Sequence, residues 1–330
     1  MARIQDIRTT PVLAPLARPL RSASGFIEKM PLVIIDVVTD EGAEGTAYAQ
    51  VYFPELLPAL DRTIAGMAGM IAGMPLVPRD LQALLRRRCR LFGLKNLMGA
   101  ALGGLDLTLW DAWARSLGQP LAAAIGASPR PHRNYHSTGM YDEHTVAAIA
   151  AETLDRGFAG LKVKMGFSDF ALDLAVVSAA RRRLGDGGAL MIDYNQSLDP
   201  VEALRRCRAL DDEGLEWIEE PVAADDLEGC ARIAAAVKTP IQIGESFHAP
   251  QEMLLAIREQ AMDLVMPDAQ LIHGVTGFLE ASALADTAGI PMSSHMFVEA
   301  SAHLPRATPT AHWLEYMDVA GLLQRQTIVV

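Results

Sequence analysis

Gly160-Leu-Lys-Val-Lys-Met-Gly166 is a β-type run that carries a lysine at every second position, Lys162 and Lys164. Alternate residues of a strand point to one face, so both ammonium groups face the same side. The stretch Phe170–Leu184 that follows has helical periodicity, and Leu190–Tyr194 is the next β-type run. Outward from there the rhythm repeats. Candidate strands are Asn134–Thr138, Gly160–Met165, Leu190–Tyr194, Glu216–Ile218, Ile241–Ile243, Leu264–Met266, Ile290–Met292 and His312–Leu314, with helices between them such as Thr145–Arg156, Phe170–Leu184, Pro200–Asp212 and Gly274–Ala288. Eight strands alternating with helices over about 190 residues predict a parallel (β/α)8 barrel, of the α/β class.

Upstream the pattern differs. Leu32-Val-Ile-Ile-Asp-Val-Val38 is a strand ending in the turn Thr39-Asp-Glu-Gly42. Pro54–Leu117 reads as helical, with Leu81, Leu84 and Leu85 at helical spacing. The Gly- and Pro-containing stretch Gly126–Pro131 marks a boundary. The expected organisation is an α+β capping domain over residues 1–125 and the barrel over 126–330.

Composition bounds the function. Of 330 residues, 50% are hydrophobic and 21% charged, which describes a globular chain. Cys89, Cys207 and Cys230 are far apart and form no CxxC, so neither a disulfide framework nor a zinc cluster is indicated. The net charge of −11 disfavours nucleic-acid and acidic-membrane partners. The first residues lack an apolar signal core, and no apolar run approaches the length of a membrane span. A cytoplasmic enzyme acting on a small molecule is the expectation.

The ends of the candidate strands carry ionisable groups in register. They are Lys162 and Lys164, then Asp193 with Asn195, Glu219, Glu245, Asp268, His295 and Glu315. The steps are about one βα unit each, so the groups converge on the C-terminal mouth of one barrel, where active sites of this fold lie. Asp193, Glu219 and Glu245 are three carboxylates with no thiol or paired histidine nearby. All-oxygen ligation suits a hard cation, Mg²⁺ rather than Zn²⁺. Asn195 adds a neutral oxygen on the same face if the strand extends to it. Like charge and a nearby cation would depress a lysine pKa, so that a neutral lysine could act as a base. A carboxylate such as Asp268 bonded to one imidazole nitrogen of His295 would orient the ring. The remaining histidines read as structural, with His312 as packing or as a support behind the site residues.

As a set these strings resemble the mandelate racemase subgroup of the enolase superfamily. They are Gly160–Gly166, Met191-Ile-Asp-Tyr-Asn-Gln-Ser197, Trp217-Ile-Glu-Glu-Pro221, Ile243-Gly-Glu245, Met266-Pro-Asp268 and Gly289-Ile-Pro-Met-Ser-Ser-His295, with Ala307-Thr-Pro-Thr-Ala-His-Trp-Leu-Glu315 beyond. The resemblance implies one Mg²⁺ held by Asp193, Glu219 and Glu245, and a carboxylate substrate whose α-proton is removed to give an enediolate. Lys164 would act on one face, and His295 with Asp268 on the other. Lys162 would neutralise the substrate carboxylate and lower the pKa of Lys164, and a protonated Glu315 would donate a hydrogen bond to it. Asn195, Ser137, Leu20, Ser24, Ile27, Tyr52, Met296 and Met317 would contact substrate. Two bases on opposite faces give racemisation or epimerisation of a 2-hydroxy acid. The same set with His295 as an acid gives dehydration of a sugar acid or hydroxy diacid. A homo-oligomer, an octamer by resemblance, is implied as well.

Two departures from the family pattern stand out. In Leu20-Arg-Ser-Ala-Ser-Gly-Phe-Ile-Glu-Lys29, the cap loop, Leu20 and Ile27 keep its apolar character, but Ser24 is polar where an aliphatic side chain is expected. Gln50 is polar too, whereas Tyr52, Met296 and Met317 form apolar walls. The second is the C-terminal stretch Gln326-Thr-Ile-Val-Val330, which comes soon after the last strand. Relatives continue with a segment packed on the cap, so a looser contact there is expected. Other readings fit less well. A barrel metallohydrolase would want an HxH pair at the first strand, and Asn134–Thr138 has none. A glycosidase leaves both lysines unexplained. A non-catalytic relative would have lost a member of the set, and none is missing.

Overall fold

β1 (Ile4–Ser22) and β2 (Gly25–Thr39) form a long antiparallel hairpin, and β3 (Glu44–Gln50) pairs with β2. The turn between β2 and β3 is the expected one, with Gly42 at φ 82° supplying a left-handed conformation. Four helices follow: α1 (Leu57–Ile71), α2 (Pro78–Cys89), α3 (Asn96–Ser116) and α4 (Leu121–Ala124). The sheet buries Val33, Ile35 and Val37 against Leu60, Ile64, Leu102, Leu105 and Leu109, which is the core of the cap. Gly45 lets α3 touch the sheet, since a Cβ there would stand 2.4 Å from the Ala112 nitrogen.

The barrel runs β4 (Asn134–Ser137), α5 (Glu143–Asp155), β5 (Gly160–Lys164), α6 (Phe170–Leu184), β6 (Ala189–Asp193) and α7 (Pro200–Leu210). It continues through β7 (Trp217–Glu219), α8 (Leu227–Ala234), β8 (Ile241–Ile243), α9 (Pro250–Arg258), β9 (Leu264–Val265), α10 (Gly274–Ala288), α11 (Val298–Ser301) and β10 (Leu314–Tyr316). The computed structural model describes residues 1–128, 130–317 and 319. Pro129 of the expected boundary and the C-terminal stretch 326–330 lie outside the described residues.

The parallel strands pair in the order β10-β4-β5-β6-β7-β8-β9. The strand expected at Ile290–Met292 is reduced to single bridges, Val265 to Met292 and Met292 to Ala311, which close the barrel. Pro291 explains this, because it has no N–H to extend a ladder. The last strand starts two residues later than expected, at Leu314, while His312 N still donates to Met292 O. Inside, Tyr135, Met191, Trp217 and Trp313 form an apolar floor, with ring centroids 5.3–6.3 Å apart and edge-on. Residues two further along each strand share that interior face one layer higher. That layer is the charged one.

Candidate active site

Ser137, Asp193, Glu219 and Glu315 lie two residues beyond Tyr135, Met191, Trp217 and Trp313, so the pleat itself lifts them to the mouth. Lys162 and Lys164 join them from β5. All five charged groups are buried, as are Asp268 and His295, while Glu245 keeps slight exposure. Asn195, Gln196, Glu220, Met296 and Phe297 stand at the strand ends with positive φ, and Gly244 sits at φ 129°. Such left-handed non-glycine residues concentrate where a site is over-determined by its surroundings.

The charges form one connected set. Lys162 Nζ lies 2.5 Å from Glu219 Oε1 and 2.8 Å from Glu315 Oε1. Lys164 Nζ lies 2.7 Å from Asp193 Oδ2. His295 Nδ1 is 2.7 Å from Asp268 Oδ2, and its Nε2 faces Glu245 Oε2 at 3.3 Å and Glu315 Oε2 at 4.0 Å. Each of the three candidate ligand carboxylates therefore rests on one cationic side chain: Asp193 on Lys164, Glu219 on Lys162, Glu245 on His295. Main-chain donors fix the rest. Asn195 N donates to Asp193 Oδ1, Met296 N to Glu315 Oε2, and Gln270 N and Leu271 N to Asp268 Oδ1.

Burial works against the charge on Lys162, but Glu219 and Glu315 outweigh it and hold its pKa well above the lysine range. Lys164 is likewise raised: burial opposes its charge, and Asp193 and Glu245 prevail. Burial disfavours imidazolium at His295, yet Glu245, Glu315 and Asp268 lift it to about 10. Burial pushes Glu315 up, while Lys162 and His295 pull it further down, to about 2. Glu219 goes the other way, raised by burial and by the neighbouring carboxylates despite Lys162. In this arrangement Lys164 is raised where a depressed pKa is expected, because Asp193 compensates its charge, and Lys162 and His295 hold the Glu315 carboxyl low where a protonated donor is expected.

The donor set fits a hard divalent cation. Oxygens of Asp193, Glu219 and Glu245 lie within 4.8 Å of one another. Glu245 Oε2 and Asn195 Oδ1 are buried without a hydrogen-bond partner. Three carboxylates this close call for more positive charge than two lysines and a histidine supply to five acids.

The expected substrate contacts gather less uniformly. β6 ends at Asp193, so Asn195 reaches the site through a left-handed turn rather than along the strand, with Nδ2 3.4 Å from Glu245 Oε1. Ser24 Oγ donates to the Asn195 carbonyl at 3.1 Å, which brings the tip of the β1–β2 hairpin to the mouth. Leu20 and Ile27 pair across that hairpin. Tyr52 Oη is 3.8 Å from Met296 Sδ, and Gln50 Nε2 is 3.3 Å from the same sulfur. Leu20, Ser137 and Met317 also line a cavity of about 190 Å³ at the β4–β10 side, together with Arg18, Tyr141 and Glu152. His312 packs edge-on against Trp217.

Sequence reasoning missed the residues that support the carboxylates. Trp217 Nε1 and Gln242 Nε2 both donate to Glu219 Oε2, at 2.8 and 3.2 Å. Alternation within β7 could have pointed to Trp217, two residues before Glu219. Glu220 is buried as well, held by Gln196 Nε2 at 2.8 Å. Burial and Glu245 raise its pKa well above the carboxylate range.

Comparison with known proteins agrees with this geometry. Residues 4–126 match the mandelate racemase / muconate lactonizing enzyme N-terminal domain, and residues 145–329 the enolase C-terminal domain-like family. The chain is 30% identical over 325 residues to an L-talarate/galactarate dehydratase of Salmonella typhimurium, covering 96% of this chain and 82% of that one. It is 27% identical over 299 residues to an L-Ala-D/L-Glu epimerase of Bacillus subtilis, covering 87% and 79%. A Bradyrhizobium enolase solved in complex with magnesium and mandelic acid superposes with a TM-score of 0.94 at 42% identity, over 97% of this chain and 89% of that one. Among the described residues no helix is long and apolar enough to cross a membrane. Matched in both its cap and its barrel, the chain belongs to the mandelate racemase / muconate lactonizing enzyme family, within the enolase superfamily.

Proposed function

We propose that this enzyme removes the proton α to a carboxylate and returns one to the opposite face, racemising or epimerising a 2-hydroxy acid. One observation carries the reading. Lys164 and His295 rest on different members of the carboxylate trio, one against Asp193 and the other against Glu245. Asp193, Glu219 and Glu245 would hold Mg²⁺, in keeping with the magnesium in the Bradyrhizobium relative. Bound there, the cation would supply Lewis-acid stabilisation of the substrate's developing negative charge and satisfy the carboxylates on which the lysines and His295 otherwise rest.

The side chains would then divide the work. Lys164 Nζ, as the neutral amine, would take the α-proton as the C–H bond breaks and become the ammonium. His295 Nε2 gives a proton to the opposite face as the new C–H bond forms, and in the reverse direction the roles exchange. Asp268 on Nδ1 keeps Nε2 the reactive nitrogen. Lys162, deep in the site, places fixed positive charge beside the substrate carboxylate. Glu315, held by Lys162 and Met296 N, anchors that ammonium.

A second reading, dehydration of a sugar acid, is favoured by one feature. Gln50 Oε1, Ser137 Oγ and Asn195 Oδ1 are buried polar atoms without partners, as hydroxyl-rich substrates would require. There His295 Nε2–H would protonate a departing β-hydroxyl. The Salmonella typhimurium relative is a dehydratase, which lends this reading weight. Proton NMR in D₂O with Mg²⁺ tests both over a panel of mandelate and sugar acids. Loss of the α-proton signal with no new compound supports racemisation. A 2-keto-3-deoxy product supports dehydration and overturns the first reading.

A further inference from the structure

The capping domain bonds to the barrel along the segment that runs from Asp268 into the first turn of α10. From β3, Gln50 N donates to Gln270 Oε1 at 2.8 Å, and Gln270 Nε2 donates back to Gln50 O at 3.1 Å. From α2, Gln82 Nε2 donates to His273 O at 2.7 Å. The His273 ring meets Leu94 O at 2.7 Å. From α3, Asp106 accepts from Thr276 N and Thr276 Oγ, both at 2.8 Å. His273, at the amino end of α10, makes no side-chain cap, so the cap of this barrel helix comes from the other domain.

The approach is close because α3 turns small residues to the loop. Gly99, Gly103 and Asp106 share one helical face at spacings of four and three. A Cβ on Gly103 would stand 1.8 Å from Gln270 O, and one on Gly99 2.7 Å from Leu94 O and 3.3 Å from His273 Nε2. No side chain larger than hydrogen leaves Gln270 where it is.

The same loop orients the dyad. Gln270 N and Leu271 N both donate to Asp268 Oδ1, at 2.8 and 2.9 Å. With one oxygen committed to two main-chain donors, the other is left for His295 Nδ1 at 2.7 Å. We infer that Gln270, clasped by Gln50 of the cap, is a positioning residue for His295: through this clasp the capping domain sets the geometry of that base. Lys164 lies on β5, in contact with Asp193 and with its main-chain nitrogen on Gly139 O. None of the contacts just named reaches it. The inference rests on the two-base reading and assigns control of its His295 half.

Gln270→Met keeps the side chain's bulk and removes both bonds to Gln50. In D₂O with Mg²⁺, α-proton exchange is followed separately for each enantiomer of an exchanged acid. The enantiomer whose proton faces His295 is expected to exchange about 10–100-fold more slowly, the usual effect of losing a group that orients a functional side chain, while the Lys164 enantiomer keeps the parent rate. Equal slowing on both faces, or slowing on neither, overturns the inference. Gln270→Glu keeps an oxygen for Gln50 N and should fall between parent and Gln270→Met; it decides the matter if the methionine variant does not fold. If the parent exchanges no acid at all, the two-base reading fails instead. The ¹⁵N spectrum of His295 then decides the positioning on its own: a lost or shifted Nδ1–H signal in Gln270→Met supports it, and an unchanged one overturns it.

Discussion

Two ionic clusters among the described residues of the barrel are built to different rules. On the outer layer Arg206 of α7 donates to Asp173 Oδ2, to Phe167 O and to Glu202 Oε1, at 2.7, 2.8 and 2.6 Å. Asp173 also accepts from Gly166 N, Phe167 N and Tyr194 Oη. Arg205 joins Glu202, so two cations meet two carboxylates. At the mouth, Lys162, Lys164 and His295 face Asp193, Glu219, Glu245, Asp268 and Glu315, with Glu220 close behind. The first cluster is balanced. The second has surplus negative charge and acceptors left over. Burying unbalanced charge costs stability, and proteins retain it where a ligand completes the set.

Substitutions at the two clusters should therefore fail in different ways. The largest effect is expected for Lys164→Ala, which should lower turnover by about 10²–10⁴-fold with the protein still folded. Activity assays beside thermal melts check it, and full turnover would remove Lys164 from the reaction. Arg206→Met should do the opposite. It strands Asp173 in the interior and should cost about 3–5 kcal/mol in denaturant unfolding, with the rate per folded molecule unchanged. A loss below about 1 kcal/mol, in the range of an exposed pair, would break the comparison. Next comes the cation: Mg²⁺ at a hundred times its dissociation constant should stabilise the protein by about 2.7 kcal/mol. Arg206→Met should keep that gain, read as a melting shift against EDTA, and Glu245→Gln should lose most of it.

The last prediction concerns Asp106, where cap meets barrel. Burial, partly offset by its bonds to Thr276, raises its carboxyl from 3.8 to about 7. Between those values the folded state holds a proton that the unfolded chain has released. The stability tied to this group is therefore complete below pH 4 and declines as pH rises towards 7. Asp106→Asn should flatten that decline in unfolding free energy measured from pH 4 to 8. An unchanged slope would assign it to other groups.

Much of this was legible in the sequence because the barrel writes itself locally. The alternation in Gly160–Lys164 and the recurring strand-end acids fix which side chains share the interior face, and β5, β6 and β8 lie where periodicity puts them. Pro291 cut the seventh strand to a bridge, which alternation alone does not register. The clasp of Gln270 on Gln50 spans 220 residues and has no local period. The same holds for Gln242 on Glu219, because a neutral amide in a strand reads like any other polar residue. The charge states at Lys164 and Glu315 depend on which partners they meet, and only the folded site brings those partners together.

Trp217 is an indole placed directly beneath a carboxylate, its Nε1 donating to Glu219 Oε2. Indole emission responds to the field along its ring, so any change of charge on Glu219 should move the colour or intensity of this fluorophore. The chain has four tryptophans, and Trp110 points its Nε1 to Thr276 Oγ instead. Arrival of a cation at the mouth would thus be visible as light from the floor of the barrel, with no label attached.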